Sequence, residues 1–181
     1  MDLACTRCDL CATRTQVVVG KGDAHARVML IGEAPGKNED LGGAPFIGAA
    51  GHVLDEFLEA AGLVRDEIYI TNVVKCRPPK NRNPLPEEID ACHDNLMEQI
   101  ASIRPDIIVA LGTFASRQMV GIDAPITAMQ EQIYKRSNAG VACVVLPVYH
   151  PAATIYNRSL KGVFMQSALT LKELMKDPLQ E

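Results

Sequence analysis

Short apolar runs alternate with stretches of helical period along this 181-residue chain, and few architectures accept that order. Val28, Met29, Leu30 and Ile31 form an apolar run closed by Gly32, as expected of a buried strand. Residues 49–61 then place Val53, Leu54, Phe57, Leu58 and Ala61 on one helical face, with Gly62 as the stop. Ile68, Tyr69 and Ile70 read as a second strand. Pro86, Glu87 and Glu88 open a helix, because proline and acids suit a first turn. Its stripe is Ile89, Cys92, Leu96, Ile100 and Ile103, and Pro105 ends it. Residues 107–111 make a third strand, followed by Gly112 and a short helix capped by Thr113. Residues 142–149 make a fourth strand, and Phe164, Ala168, Leu171 and Met175 mark a last helix. Strands joined through helices imply right-handed crossovers and a parallel sheet covered on both faces. The expectation is an α/β three-layer sandwich with a four-stranded parallel sheet, as one domain over residues 1–181.

Ligands of such sheets sit beyond the carboxyl ends of the strands. Three polar stretches converge there: residues 32–40, residues 71–76 and residues 150–154. The first, GEAPGKNED, lacks the glycine spacing of phosphate cradles, and its acids repel phosphate. It suits a small neutral ligand approached by backbone, or else a structural turn. Asn72 follows a strand directly, and its amide can read an imide or amide edge, or merely close a turn. His150 precedes Pro151 at a strand end, where a neutral imidazole can stabilise an oxyanion or only anchor the chain. Phe46 lies on a glycine- and proline-rich loop, as a core residue or a base-stacking platform.

Four cysteines fall in an unusual pattern. Cys5 and Cys8 form a C-x-x-C pair, while Cys76 and Cys92 follow far downstream. Thiolates suit tetrahedral zinc and iron–sulfur clusters. A zinc ribbon repeats C-x-x-C on both sides, and this chain does not, so the spacing leaves cluster, zinc and unliganded thiols open. Cys11 and Cys143 are extra cysteines: Cys143, in an apolar run, reads as core packing, and Cys11 stands outside the four although it is close enough to Cys8 to compete as a ligand.

A net charge of −4 gives no global pull toward nucleic acid, so any contact must come from a local patch. Lys75, Arg77, Lys80 and Arg82 form one, stiffened by Pro78, Pro79 and Pro84. A run of this kind is often a solvated loop, but Cys76 within it would pin its cations in register with phosphates. No apolar run approaches the ~20 residues of a membrane span. The first residues lack a signal-peptide pattern, so a cytoplasmic protein is expected, and separately a monomer.

Taken in order, these segments resemble the iron–sulfur, family-four branch of the uracil-DNA glycosylases. The resemblance rests on the early C-x-x-C, GEAPGKNED at 32–40, PFIGAAG at 45–51, YITNVVKCRPPKNRNP at 69–84, Cys92, LG at 111–112 and YHPAA at 149–153. It implies a 4Fe–4S cluster on Cys5, Cys8, Cys76 and Cys92, and removal of uracil from single- or double-stranded DNA. It also implies that Phe46 stacks on the flipped base and Asn72 reads its polar edge. Ala34 and Gly36 line the pocket, and His150 faces the carbonyl that gains charge. Pro151, Ala152 and Ala153, in the segment running to Thr154, enter the DNA. Better-known uracil glycosylases have an aspartate where this loop has Ala34, and family four shares the change. The water-activating residue is then sought among Glu33, Glu39 and Asp40. The alternatives are a non-catalytic iron–sulfur DNA-binding module and a zinc-stabilised nucleotide hydrolase.

Overall fold

The structure, a computed structural model, describes residues 2–176. Among the described residues, six strands form one sheet: β1 (Lys21–Gly22), β2 (Val28–Gly32), β3 (Tyr69–Asn72), β4 (Ile107–Leu111), β5 (Tyr134–Asn138) and β6 (Val141–Val148). Their order is β1-β3-β2-β4-β6-β5. The inner four run parallel, while β1 and β5 pair antiparallel at the two edges. The expected four-stranded parallel sheet is therefore corrected to a six-stranded mixed one.

Both edge strands lack the apolar signal that marks the inner ones. Strand β1 is two exposed residues, and β5 reads Tyr-Lys-Arg-Ser-Asn with alternate partial exposure. Strand β5 exists because it forms a hairpin with β6. Ala139 and Gly140, at φ 51° and 73°, make the left-handed two-residue turn that matches strand twist.

Among the described residues, seven α-helices accompany the sheet: α1 (Lys37–Gly42), α2 (Ala49–Ala61), α3 (Pro86–Ile103), α4 (Gly112–Val120), α5 (Ile126–Met129), α6 (Pro151–Tyr156) and α7 (Lys161–Leu174). Side-chain alternation along the strands divides the core in two. Val28, Leu30, Ile107 and Val109 pack with Leu54 and Phe57 of α2 and Phe164 of α7. Met29, Ile31, Ile108 and Ala110 pack with Ile89, Leu96 and Ile100 of α3 and Met119 of α4. Phe57 and Phe164 meet with ring centroids 4.9 Å apart. Cys143 lies in the second core, as its apolar run suggested.

Two local readings change. The second half of the 32–40 loop is the helix α1, with Gly36 as its N-cap. Thr113 lies inside α4, and its Oγ1 accepts from the Ile126 N–H at the start of α5 (3.3 Å). Among the described residues, no helix is long and apolar enough to cross a membrane.

Candidate active site

A cavity of ≈ 490 Å³ opens at the carboxyl ends of β2, β3 and β6. Glu33, Ala34, Gly36, Glu39, Phe46, Asn72 and His150 line it together, although the chain brings them from four separate segments. This is the convergence expected from a parallel sheet.

Asn72 ends β3 and is buried. Its Oδ1 is the one buried side-chain N or O atom among the described residues with no hydrogen-bond partner. An orphaned buried acceptor costs about 1–3 kcal/mol, so its persistence points to a ligand that donates. Gly32 makes the arrangement possible. A Cβ there would strike both Asn72 Oδ1 and the Phe46 ring, so only glycine lets the two side chains meet over β2.

The Phe46 ring lies 5.6 Å from the imidazole of His150, tilted by 30°. Its backbone sits at φ 53°, a left-handed conformation that non-glycine residues rarely hold. Glu39 helps to fix this loop, because its Oε1 accepts from the N–H groups of Ile47 (3.0 Å) and Gly48 (2.9 Å).

His150 is the N-cap of α6. Its Nδ1 accepts from the Ala152 N–H at 3.2 Å, so in the neutral ring the proton sits on Nε2. Burial pulls its pKa from 6.5 to about 4, with the Glu39 carboxylate acting the other way. The imidazole is therefore neutral at physiological pH and keeps one N–H to donate.

The three acids of the first loop separate. Asp40 is buried and accepts from the Thr15 N–H (2.9 and 3.1 Å), a structural role that removes it as a water-activating candidate. Glu39 is half-buried with one oxygen committed to the loop. Glu33 lines the cavity, and burial raises its carboxyl above the usual range.

The family model described as the uracil DNA glycosylase superfamily matches residues 19–172. A type-4 uracil-DNA glycosylase of Archaeoglobus fulgidus is 42% identical over 176 residues, covering 95% of this chain and 88% of that protein. Type-4 enzymes of Sulfurisphaera tokodaii and Thermotoga maritima are 41% and 42% identical, covering 97% and 95% of this chain and 82% and 90% of theirs. The chain belongs to the type-4 uracil-DNA glycosylases.

The basic loop of this glycosylase differs from its reading as four free cations. Lys75 is corrected outright, for it is buried at 1% exposure. Its Nζ donates to Thr71 Oγ1 (2.7 Å), the Asn72 carbonyl (2.6 Å) and Gln99 Oε1 (2.7 Å). Those bonds occupy every ammonium hydrogen, and burial lowers its pKa to about 7. Arg82 lines the cavity but forks onto buried Glu88, at 2.6 and 2.8 Å. Arg77 bonds Asn81 Oδ1 at 2.7 Å, and Lys80 is exposed at the loop tip. Pro151 and Thr154 are buried in α6, so the reading of Pro151 as a DNA-contacting residue is corrected. Ala152 and Ala153 are half-buried there, and Ala152 borders the cavity. The sequence reading missed Ile155 and Tyr156, exposed at 44% and 90%, on the same rim. Position along a short helix, rather than residue type, sets which of these face outward.

Cys5, Cys8, Cys76 and Cys92 line one small cavity, which Cys11 does not join. Arg14 Nη1 donates to Cys76 Sγ at 3.3 Å, and Asn95 Nδ2 to Cys92 Sγ at 3.6 Å. Among the described residues, no three acids, histidines or cysteines converge closely enough to hold a single metal ion.

Proposed function

We propose that the protein flips uracil out of DNA and hydrolyses its N-glycosidic bond, leaving an abasic site. The orphaned Asn72 Oδ1 carries this reading. Uracil presents N3–H to such an acceptor, whereas cytosine presents a bare N3 that would leave it unpaired. A site built around a buried polar group rejects the analogue lacking the partner far more strongly than it rejects a change of size.

The reaction follows from the other side chains. A base within a duplex is out of reach, so it is extruded at a cost of a few kcal/mol. Phe46 stacks on it, and stacking is worth about 1–3 kcal/mol per base. The C1′–N1 bond breaks with its electron pair passing to the base, leaving an oxocarbenium-like sugar and a uracil anion. His150 Nε2–H donates to the carbonyl oxygen where that charge gathers, the kind of fixed donor that supplies the largest catalytic contribution. Neutrality of the ring favours this role, because it stabilises the anion without delivering a proton. Water adds to C1′, and Glu33 takes its proton, since a carboxylate destabilised by burial is a stronger base. Ala34 and Gly36 leave the base room to approach the loop. Lys80 and Arg77 meet phosphates, with Ala152 and Ala153 against the strand.

A gel assay with oligonucleotides holding one uracil, cytosine or thymine tests the reading. Cleavage at uracil with cytosine untouched is expected. Equal cleavage at cytosine, or none at uracil, would overturn it. The intact pocket disfavours a non-catalytic DNA-binding module, which has no use for a buried orphan acceptor.

A 4Fe–4S cluster on Cys5, Cys8, Cys76 and Cys92 completes the proposal. The four thiols line one cavity, and thiolates are the ligands such a cluster takes, so these residues would hold it. Arg14 and Asn95 supply the donors to sulfur that commonly tune such centres. When bound, the cluster would link the N-terminus, α3 and the segment after β3. Absorbance near roughly 400 nm with bound iron is expected, and zinc alone would refute it.

A further inference from the structure

Phe46 holds a left-handed backbone conformation, at φ 53°, that a non-glycine residue keeps only where its surroundings over-determine it. Glu39 fixes the residues after it, through the N–H groups of Ile47 and Gly48. The Phe46 carbonyl is held as well. Arg65, in a single 3-10 turn spanning Arg65–Glu67, donates from Nη2 to Phe46 O at 2.8 Å and to Gly51 O at 3.1 Å. Its Nε bonds Asp55 Oδ1 at 2.6 Å, which aims the guanidinium. Gly51 has no room for a Cβ, which would collide with the Phe46 carbonyl. Arg65 touches no part of the cavity that holds the base.

We propose that Arg65, oriented by Asp55, is a positioning residue that locks the Phe46 carbonyl and so keeps the Phe46 ring in stacking position. This rests on the reading that Phe46 stacks on uracil. A planar fork suits the task, because one guanidinium reaches two carbonyls and a carboxylate in fixed geometry. Part of the stacking energy is then secured before substrate arrives, as preorganisation requires.

The test is a double-mutant cycle on single-turnover cleavage of a uracil oligonucleotide, with half-saturating concentration, maximal rate and melting temperature measured on each preparation. Arg65→Ala should raise the half-saturating concentration roughly tenfold, within the range a stacking side chain is worth, with a smaller change in maximal rate. Arg65→Lys should recover part of the loss, since an ammonium still bonds one carbonyl. In a Phe46→Ala background, Arg65→Ala should add less than about twofold. Full additivity, or wild-type binding by Arg65→Ala, overturns the proposal. Wild-type behaviour of Phe46→Ala removes the stacking reading itself, a separate failure. If Arg65→Ala does not fold, Asp55→Asn provides the cycle, with the same direction and a smaller loss. An Asp55→Asn loss that is additive with Phe46→Ala also overturns it.

Discussion

Phe46 and His150 are neighbours in the wall of the cavity, with ring centroids 5.6 Å apart and planes tilted by 30°. The side chain proposed to hold the base is thus a close neighbour of the one proposed to act on it. Because His150 Nδ1 also caps α6, its two ring nitrogens do different work and can be separated by mutation.

His150→Ala removes cap and donor together, whereas His150→Asn keeps an oxygen able to cap. The asparagine variant should melt near wild type yet lose ~10²–10³ in single-turnover rate. A destabilised but fully active alanine variant would leave His150 as an anchor only. Thermal melts and single-turnover rates on one preparation decide it.

The pH dependence follows from the depressed pKa. Folded His150 titrates at about 4 against 6.5 for an ordinary histidine. Between those values the unfolded chain binds a proton that the folded chain does not, so this residue's contribution to stability is complete above 6.5 and is lost as pH falls toward 4. Cleavage should not lose the neutral imidazole until pH approaches 4. Glu33, with its raised carboxyl, should set an acidic limb above that point if it activates water. Glu33→Gln should then abolish the limb along with most of the rate. A pH–rate profile that Glu33→Gln leaves unaltered would exclude the role.

Asn72→Asp should erode discrimination against cytosine, since an ionised carboxylate cannot donate and a protonated one can serve cytosine. The uracil-to-cytosine ratio of cleavage rates measures it. An unaltered ratio would mean the base is read elsewhere.

Cys76→Ala should lose iron and soluble protein together, because site assembly and folding are coupled. Iron content and yield on one preparation check this. A soluble, iron-free and active variant would refute a structural cluster.

For the basic loop, Arg77→Ala with Lys80→Ala should weaken binding to all DNA sequences and flatten the salt dependence by roughly 0.9 in slope per lost duplex phosphate contact. Lys75→Met should lower stability and leave that slope unchanged, since its ammonium never reaches solvent. Titrations at several salt concentrations distinguish the two classes of lysine.

The inner strands, the long helices and the polar stretches of the cavity were legible in the chain because periodicity, caps and strand-end position are local properties. Val28 to Ile31 and Ile107 to Leu111 are apolar on both faces because helices cover both, and the pattern says so directly. Strand β5 was not legible, because an edge strand needs one paired side and no apolar face. Lys75, Lys80 and Arg82 look alike in sequence. Only the fold brings Gln99 of α3 over Lys75, sets Glu88 against Arg82 and leaves Lys80 in water. Likewise, four carriers of possible catalysis stood in the sequence as Glu33, Glu39, Asp40 and His150. The backbone amides that claim Asp40 and one oxygen of Glu39, and the helix N-terminus that fixes the His150 tautomer, come from the assembled loops. Residue type determined which groups could act; burial and hydrogen-bond partners, which depend on segments distant along the chain, decided which were free to do so.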